Sequence, residues 1–392
     1  MAFAGLPPLT LYIHLPWCVR KCPYCDFNSY EAKADLPERR YVDALLRDLD
    51  TEIPLARGRP LQSVFIGGGT PSLFSGAAIE RIIGGVRARL ALDDDAEITL
   101  EANPGAVEAE RFVEFREAGV NRLSIGVQSF RAPQLAVLGR IHDADEAVRA
   151  VELARRAGFD NINLDLMYAL PGDDVAGAVS DLKVALELAP AHLSWYQLTL
   201  EPNTAFHRRP PPLPDEDVVR EIEERGRALL ARSDFERYEV SAYARPGYRC
   251  VHNLNYWQFG DYLGIGAGAH GKVSDPECGT IERRAKQRNP RTYLEQAGSE
   301  GAVATERIDS AEQIALEFLM NALRLPDGVS AACYEERTGR PLAALEDPLR
   351  EAVRRGWLKA DPGRLVPTPA GLLVLNRLLA LFLVLRPRAD CA

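Results

Sequence analysis

Short apolar runs alternate with longer amphipathic stretches along the first 245 residues of the chain. The apolar runs have the length of buried strands, and the stretches between them have the length and periodicity of helices. This alternation is typical of a parallel sheet with helices packed on its faces. The predicted strands are Tyr12–His14, Ser63–Ile66, Glu97–Leu100, Arg122–Val127, Asn161–Met167, His192–Leu200 and Tyr238–Tyr243. The predicted helices cover about 35–53, with Asp35 as its cap and its end before Pro54, and then 77–90, 175–188 and 216–231.

A short repeat supports the order of helix and strand. Ala118-Gly119 precedes the strand that begins at Arg122, and Ala157-Gly158 precedes the strand that begins at Asn161. Glycine after a helix favours the left-handed conformation that ends it, and so short a connection suits an α/β unit. We therefore expect both glycines to end helices that lead directly into neighbouring strands.

The number of strands indicates the fold class. Six or seven strands between residues 11 and 243 predict an α/β fold, a partial (β/α)6 barrel with a late extra strand. A complete eight-stranded barrel is the alternative, but it needs two more strand–helix units. We expect residues 1–245 to form this barrel. Residues 246–305, rich in glycine and aromatic side chains at 251–271, are expected to be a connecting segment beyond it.

The C-terminal residues 306–392 have a different pattern. A helix over 310–323, a hairpin over 356–366 and a helix over 369–385 capped by Thr368 predict a small helical, winged-helix-like accessory domain. The apolar run 372–385 is shorter than the roughly 20 residues of a membrane span, so we do not expect an integral membrane protein. We interpret this run as a core helix and leave a partner or membrane-surface contact open.

Net charge and cysteine usage narrow the function classes. The formal net charge of −9 argues against nucleic acid as the main partner. The first residues lack the basic and apolar segments that are typical of a signal peptide. Seven cysteines, three of them clustered, suit a reducing compartment better than a disulfide scaffold. We therefore expect a cytoplasmic protein.

The three clustered cysteines form the strongest chemical motif. Cys18, Cys22 and Cys25 have the spacing C-x3-C-x2-C in a short loop after the first strand. Thiolates are soft ligands that suit iron–sulfur clusters and zinc. Three of them can hold three irons of a four-iron cubane and leave the fourth iron free to chelate the amine and carboxylate of S-adenosylmethionine (SAM). The alternative is a structural zinc site completed by His14 or His142, although no second cysteine pair follows.

Polar side chains indicate a ligand site at one edge of the sheet, because ligands bind at the carboxyl ends of strands in barrels and open α/β sheets. Five such residues stand at or just after the ends of different predicted strands: His14, Thr70, Glu101, Gln128 and Asp165. The triplet Gly67-Gly68-Gly69 allows a ligand to approach the backbone closely. No lysine follows the triplet, which excludes a P-loop.

Motifs along nearly the whole chain resemble the oxygen-independent coproporphyrinogen III oxidase (HemN-like) family of radical-SAM proteins. They are YIHLPWC, GGGTPS, EANPG, LSIGVQSF, LGRIHD and INLDLMYALPG. The resemblance implies a [4Fe-4S] cluster on the three cysteines, with SAM beside it. It implies that Tyr12 and Tyr24 flank the SAM and the cluster. The residues implied at the amino-acid end of SAM are Gly68, Gly69 and Thr70, and those implied at its carboxylate, ribose or adenine are Glu101, Gln128, Arg140 and Asp165.

Three features resemble the heme-chaperone branch of that family more than the true oxidase. Phe27 stands where the oxidase has a further cysteine, and only 17 residues precede Cys18, where the oxidase has a long segment implicated in holding the porphyrinogen. The third is the pattern H-N-x-x-Y-W, formed here by His252, Asn253, Tyr256 and Trp257. Neutral imidazole is a good axial ligand for heme iron, and aromatic rings can stack on a porphyrin. The alternative is a capped turn with a hydrogen-bonded histidine, and Cys250 is a further candidate ligand.

These observations lead to two functions from different classes. The first is a heme chaperone that binds the cluster, SAM and heme and transfers heme to an acceptor protein, expected to be a membrane-bound heme enzyme. The second is radical-SAM oxidative decarboxylation of coproporphyrinogen III in porphyrin biosynthesis. Phe27 and the short N-terminal segment argue against the second. The sequence leaves open whether the chain is an enzyme, whether SAM is cleaved and whether the chain forms a homodimer.

Overall fold

One twelve-stranded mixed sheet organises most of the chain. The computed structural model describes residues 5–32, 36–105 and 109–383. The strands are β1 Leu9–Leu15, β2 Trp17–Cys18, β3 Tyr30–Glu31, β4 Leu61–Gly68, β5 Leu92–Ala102, β6 Arg122–Gln128, β7 Asn161–Tyr168, β8 His192–Gln197, β9 Glu236–Arg237, β10 Ala242–Ala244, β11 Asp261–Ile265, β12 His270–Asp275, β13 Thr280–Lys286, β14 Val303–Ile308, β15 Val329–Ser330 and β16 Arg364–Leu365. The order in the large sheet is β14-β13-β12-β11-β1-β4-β5-β6-β7-β8-β10-β9.

Six of these strands confirm the predicted partial barrel. Strands β1, β4, β5, β6, β7 and β8 are neighbours in chain order, and each pair is parallel. Strand β1 is buried along almost its whole length, as expected for a strand that is covered on both faces. Among the described residues the two outermost strands, β14 and β9, do not pair with each other, so the sheet stays open.

Helices follow the parallel strands and pack on the sheet. They are Glu38–Ala56, Gly76–Arg87, Phe112–Glu117, Ala132–Val137, Ala144–Arg156, Val175–Glu187, Ala205–Arg208, Glu216–Ala231, Val251–Trp257, Pro290–Gln296, Ala311–Ala322, Ala331–Thr338, Glu346–Arg354, Pro369–Leu373 and Leu375–Ala380. The predicted helix ends at the repeat are confirmed, since Gly119 and Gly158 have φ of 104° and 87°. Asp143 and Glu146 form a capping box at the start of Ala144–Arg156.

Two predicted boundaries in the barrel are wrong. The first helix does not end before Pro54 but continues to Ala56, because a proline in the last turn removes only one helical hydrogen bond. Its predicted cap, Asp35, lies outside the described residues. The predicted late strand over 238–243 is instead two short strands, β9 and β10, that pair antiparallel to each other. Tyr238 lies between them with its ring buried.

The residues predicted to be a connecting segment beyond the barrel differ most from expectation. Strand β11 pairs in parallel with β1, and β12, β13 and β14 then extend the same sheet in antiparallel order. Residues 246–305 are therefore largely a continuation of the barrel sheet. The boundaries at 245 and 305 stay predictions.

The C-terminal residues form a second hydrophobic core. Phe318 and Tyr334 are at its centre, and Phe259 from the preceding segment packs against Phe318. The predicted helical character is confirmed, but the hairpin is reduced to a single bridge between Leu358 and Pro367. Strand β16 pairs instead with β15, which the sequence did not indicate.

The predicted final helix is capped as expected but is interrupted. Its cap is Thr368, whose Oγ1 accepts a hydrogen bond from the Gly371 amide at 3.0 Å. The helix breaks at Val374 into two short helices. Residues 384 and 385 of the predicted helix lie outside the described part of the chain. Within that part, no helix combines the length and the apolar character needed to cross a bilayer.

Candidate cluster and ligand site

The three clustered cysteines line one cavity of about 510 Å³. Cys18 ends β2, and the pairing of β2 with β3 holds both ends of the loop together. Within the loop, the Cys25 amide donates a hydrogen bond to the Cys22 carbonyl oxygen at 3.2 Å. Burial raises the pKa of the Cys18 and Cys25 thiols, so both carry protons in the metal-free chain. A metal would displace these protons on binding.

The two histidines of the zinc alternative are turned to other partners. His14 contacts the Tyr12 hydroxyl through Nδ1 at 2.9 Å and the Asn28 carbonyl oxygen through Nε2 at 3.0 Å. His142 bonds the Val127 carbonyl oxygen through Nε2 at 3.1 Å. Among the described residues, no group of three or more histidine, cysteine, aspartate or glutamate side chains is gathered around a single ion position. In a cubane each thiolate binds a different iron, so this arrangement suits a cluster better than one zinc ion.

The glycine triplet packs directly against the cysteine loop. A Cβ atom on Gly69 would lie 2.5 Å from the Trp17 carbonyl oxygen and 3.0 Å from Cys18 Sγ. Gly68 has a φ of 127°, which favours glycine, and its amide donates a hydrogen bond to Glu101 Oε2 at 3.0 Å. The Gly69 amide is used within the fold, donating to the Leu15 carbonyl oxygen at 2.8 Å. Gly68 and Gly69 therefore form one wall of the cysteine cavity.

Arg140 connects that wall to the cysteines. Its Nη2 donates to Asn103 Oδ1 at 2.7 Å and to the Gly126 carbonyl oxygen at 2.5 Å, and Nη1 lies 3.8 Å from Cys22 Sγ. Asn103 in turn donates to Thr70 Oγ1 at 3.0 Å. Arg140 Nε is buried and has no hydrogen-bond partner among the described residues. An anionic ligand in the cavity would provide the hydrogen-bond acceptor that Arg140 Nε lacks.

Two neighbouring carboxyl groups, those of Glu101 and Asp165, line the cavity. Burial, and after it the neighbouring Asp165 carboxylate, raise the pKa of Glu101 to about 8. Burial also raises the pKa of Asp165, although this group accepts hydrogen bonds from Asn163 at 2.8 Å and Ser124 at 3.0 Å. Both side chains are half-buried and line the cavity. A cationic ligand would stabilise their ionised forms.

The remaining predicted SAM residues are divided between two cavities. Tyr24 lines the cysteine cavity and packs against Phe206. Gln128 lines it too, with a φ of 69°, and its Oε1 accepts a hydrogen bond from the Tyr196 hydroxyl at 2.7 Å. Tyr12 is separated from them, because its ring lines a second cavity instead.

The second cavity, of about 690 Å³, adjoins the first. The two cavities share six lining residues: Asp26, Phe27, Gly68, Glu101, Ser124 and Asp165. The rest of the lining combines polar side chains with aromatic ones, among them Tyr12, Phe65, Tyr256 and Tyr262. No cysteine of the described residues lines this cavity, so it provides a separate space beside the sulfurs.

His252 lies in the wall of the second cavity, on the helix Val251–Trp257. Its Nδ1 contacts Ser63 Oγ at 2.9 Å and its Nε2 contacts the Tyr256 hydroxyl at 3.1 Å, and its ring stacks on Phe65 with centroids 5.0 Å apart. Burial, and then Arg122, lower the pKa of His252 to about 3, so the imidazole is neutral. The side chain is 1% exposed. Both ring nitrogens are therefore occupied by protein partners.

The other residues of the H-N-x-x-Y-W pattern do not all lie at the cavity. Asn253 and Tyr256 line the cavity with His252. Trp257 points the other way, with the Arg324 guanidinium 4.3 Å from its ring centre, toward the C-terminal core. The structure does not bring Trp257 to the cavity.

Several cavity residues were not found from the sequence. They are Asn103, Arg122, Ser124, Asn163, Tyr196, Tyr262, His270 and Arg288. Some had a usable signal, since Arg122 and Ser124 in β6 and Asn163 and Asp165 in β7 are polar residues two apart in otherwise apolar strands. Residues two apart face the same side of a strand. Three thiols, a close-packed glycine cradle and an unpartnered guanidinium nitrogen together fit an iron–sulfur cluster and SAM.

Two family models match the chain. Residues 12–185 match the radical SAM superfamily, and residues 309–374 match the HemN C-terminal domain. A match to the radical SAM superfamily implies a [4Fe-4S] cluster and SAM. The fold is similar to the solved structure of coproporphyrinogen III oxidase (HemN) from Escherichia coli, with a TM-score of 0.81 and 24% identity over 96% of this chain and 90% of that one. This likeness concerns the fold alone.

Curated relatives match nearly the whole chain. The heme chaperone HemW of Escherichia coli (strain K12) is 52% identical over 96% of this chain and 99% of its own length. The heme chaperone HemW of Haemophilus influenzae is 47% identical over 96% and 98%. The mitochondrial radical S-adenosyl methionine domain-containing protein 1 of Bos taurus is 34% identical over 96% and 87%. With these identities over nearly its full length, the chain belongs to the HemW family of radical SAM proteins.

Proposed function

We propose that this chain is a heme chaperone that holds a [4Fe-4S] cluster on Cys18, Cys22 and Cys25, binds SAM beside it, and passes heme to an acceptor protein. The observation that carries the proposal is the 52% identity, over 96% of the chain, to a protein named heme chaperone HemW. The two adjoining cavities are consistent with it, because one contains the cysteines and the other offers a separate aromatic-lined space.

The residues of the cysteine cavity would seat SAM by charge and shape. Arg140 would pair with its carboxylate, since a guanidinium makes strong charge-assisted hydrogen bonds to carboxylates. Gly68, Gly69 and Thr70 would lie along its amino-acid end, and Tyr24 and Gln128 along its adenine or ribose. Glu101 and Asp165 would face its cationic part. A [4Fe-4S] cluster with SAM bound beside it would supply the reductive cleavage of SAM.

Heme would bind in or over the second cavity. Its volume of about 690 Å³ falls within the range of roughly 300–1,000 Å³ that is usual for ligand pockets. Tyr12, Asn253 and Tyr256 belong to its lining. Ligation by His252 stays a prediction from the sequence, and it requires Nε2 to leave the Tyr256 hydroxyl first.

The acceptor and the compartment follow from the same proposal. We propose a membrane-bound heme enzyme as the acceptor and the cytoplasm as the compartment, where thiols stay reduced and a cluster can form. The net charge of −9 fits a partner other than nucleic acid.

The test separates the chaperone from the oxidase. The full chain is reconstituted anaerobically with iron and sulfide and titrated with hemin, in parallel with a Cys18→Ala/Cys22→Ala/Cys25→Ala variant. We expect four irons per chain and saturable binding of one heme, with the iron–sulfur content lost in the variant. A second sample receives reductant, SAM and coproporphyrinogen III. Protoporphyrinogen formed over many turnovers, or no saturable heme binding, would overturn the proposal.

A further inference from the structure

Three histidines line the second cavity, and they differ in whether a ring nitrogen is free. His14 and His252 each use both nitrogens in hydrogen bonds to the protein. His270 makes no side-chain hydrogen bond to any residue that the structure describes, and its side chain is exposed. An iron can bind only an imidazole nitrogen that has a lone pair available. His270 is therefore the histidine of this cavity that is ready to bind a metal.

His270 lies at the solvent-exposed end of the second cavity, here called the mouth, together with Phe27 and Arg288. It is the first residue of β12, and its ring lines the cavity while remaining open to solvent. Its carbonyl oxygen would lie 2.0 Å from a Cβ atom on Gly264, so the two strands are in close contact at this point.

Hydrogen bonds from the Asn28 side chain hold the end of the cysteine loop at this mouth. Asn28 Nδ2 donates to the Ala267 carbonyl oxygen at 2.8 Å and to the Arg288 carbonyl oxygen at 2.9 Å. Its own carbonyl oxygen contacts His14 Nε2 at 3.0 Å. The residue before it, Phe27, is therefore held at the same rim, and its ring is 58% exposed.

Arg288 supplies positive charge at this rim. It lines the cavity mouth, it is exposed, and its guanidinium makes no ion pair or hydrogen bond with a described residue. Arg283, which is nearby in sequence, is already bonded to Glu317 and to the Tyr262 hydroxyl. Guanidinium groups recognise carboxylates with paired, charge-assisted hydrogen bonds. Arg288 is thus available for the carboxylates of a ligand at the mouth.

We propose that heme docks at this mouth with His270 as its axial ligand, Phe27 against the porphyrin face and Arg288 on a propionate. The proposal rests on the proposed heme chaperone function and names the site for it. It places the iron at the rim of the second cavity rather than at the buried His252. Heme at the rim remains accessible to an acceptor, as transfer requires.

The test compares histidine variants of the full, reconstituted chain. His270→Ala, His252→Ala and the matched surface control His207→Ala are titrated with hemin, and the Soret band and the electron paramagnetic resonance signal of the heme iron are recorded. Circular dichroism and iron–sulfide content report whether each variant is folded. We expect His270→Ala to weaken heme binding at least tenfold and to lose the iron–imidazole signal. Free imidazole should restore that signal, and His207→Ala should equal the wild type.

Arg288→Gln gives an independent readout. We expect it to weaken binding of heme about tenfold but to leave binding of heme dimethyl ester, whose propionates are neutral, unchanged. If His270→Ala keeps the wild-type affinity and iron signal, or if His252→Ala alone removes that signal, the inference is overturned. A wild-type chain without saturable heme binding overturns the proposed function as well, so the two failures are distinguishable.

Discussion

The backbone of Gly69 lies so close to that of Trp17 that a Cβ atom on Gly69 would stand 2.5 Å from the Trp17 carbonyl oxygen. The same atom would stand 3.0 Å from Cys18 Sγ. Two motifs that are far apart in the sequence therefore form one packed unit. The position of the first cysteine sulfur depends on the absence of a side chain at residue 69.

A Gly69→Ala substitution should displace the cysteine loop. The backbone at Trp17 cannot yield as a flexible side chain would, so we expect the reconstituted iron and sulfide content to fall below half of the wild-type value. Gly84→Ala is the control, because nothing lies within 4 Å of a Cβ atom there. Wild-type iron content in Gly69→Ala, measured by chemical assay, would contradict this packing argument.

Replacing Arg140 by lysine should weaken SAM binding while the cluster is retained. The planar guanidinium bonds Asn103 and the Gly126 carbonyl oxygen at once, and an ammonium cannot reproduce that fork. We expect the dissociation constant of SAM to rise at least tenfold in anaerobic calorimetry, about 1.4 kcal/mol. Arg89→Lys, at an exposed ion pair with Asp50, should behave as the wild type. Equal affinities of Arg140→Lys and the wild type would remove Arg140 from the site.

The stability of the ligand-free chain should depend on the protonation of Glu101. Its pKa is about 8 in the folded chain because of burial and Asp165, and 4.5 is the ordinary value. Between these pH values the unfolded state releases the proton and the folded state keeps it, so stability falls as pH rises. Glu101→Gln cannot ionise and escapes this loss. The difference in unfolding free energy between variant and wild type should grow with pH, on the order of 1 kcal/mol per unit.

Urea titrations of the cluster-free chain at about pH 5 and about pH 8 measure this difference. Glu114→Gln is a suitable control at a carboxylate outside the two cavities, where it accepts a hydrogen bond from the Gly76 amide at 3.1 Å. A difference between Glu101→Gln and the wild type that stays constant with pH would show that Glu101 is ionised in the folded chain at neutral pH.

Removing the His252 side chain should destabilise the barrel. The Ser63 hydroxyl and the Tyr256 hydroxyl would each lose a partner in a buried environment. Unpaired buried polar groups cost about 1–3 kcal/mol each, and a gap beside Phe65 adds to the loss. We expect the urea midpoint of His252→Ala to fall clearly, whereas His207→Ala stays near the wild type. Equal midpoints for the two variants would mean that His252 has no structural role.

The repeating helix–strand pattern allowed the barrel to be predicted, because parallel strands that are covered on both faces are continuous apolar runs. The strands beyond residue 260 were not predicted, because β11 and β12 contain glycine and β13 and β14 carry several charged residues. Gly264 in β11 is required by the close approach of the His270 backbone, and glycine weakens any strand signal. Pairing of β11 with β1 joins residues about 250 positions apart, which no local pattern indicates.

The candidate site was predictable where a motif has fixed spacing, as with Cys18, Cys22 and Cys25 and the glycine triplet. The site was not predictable where the role of a side chain depends on whether its polar atoms are free of protein partners. His252 and His270 cannot be told apart by composition. Only the fold shows that the nitrogens of the first are occupied and that those of the second have no partner among the described residues. The separation of Trp257 from His252 also depends on the C-terminal core, against which the indole packs.

Heme delivery tests the central claim most directly. The reconstituted chain, loaded with one equivalent of heme, is mixed with heme-depleted membranes that contain an inactive heme enzyme, and the recovery of that enzyme's activity is followed against time. We expect activity to return faster than with the same amount of free hemin, and heme to leave the chain at the same rate. No recovery, or recovery no faster than with free hemin, would contradict a heme chaperone.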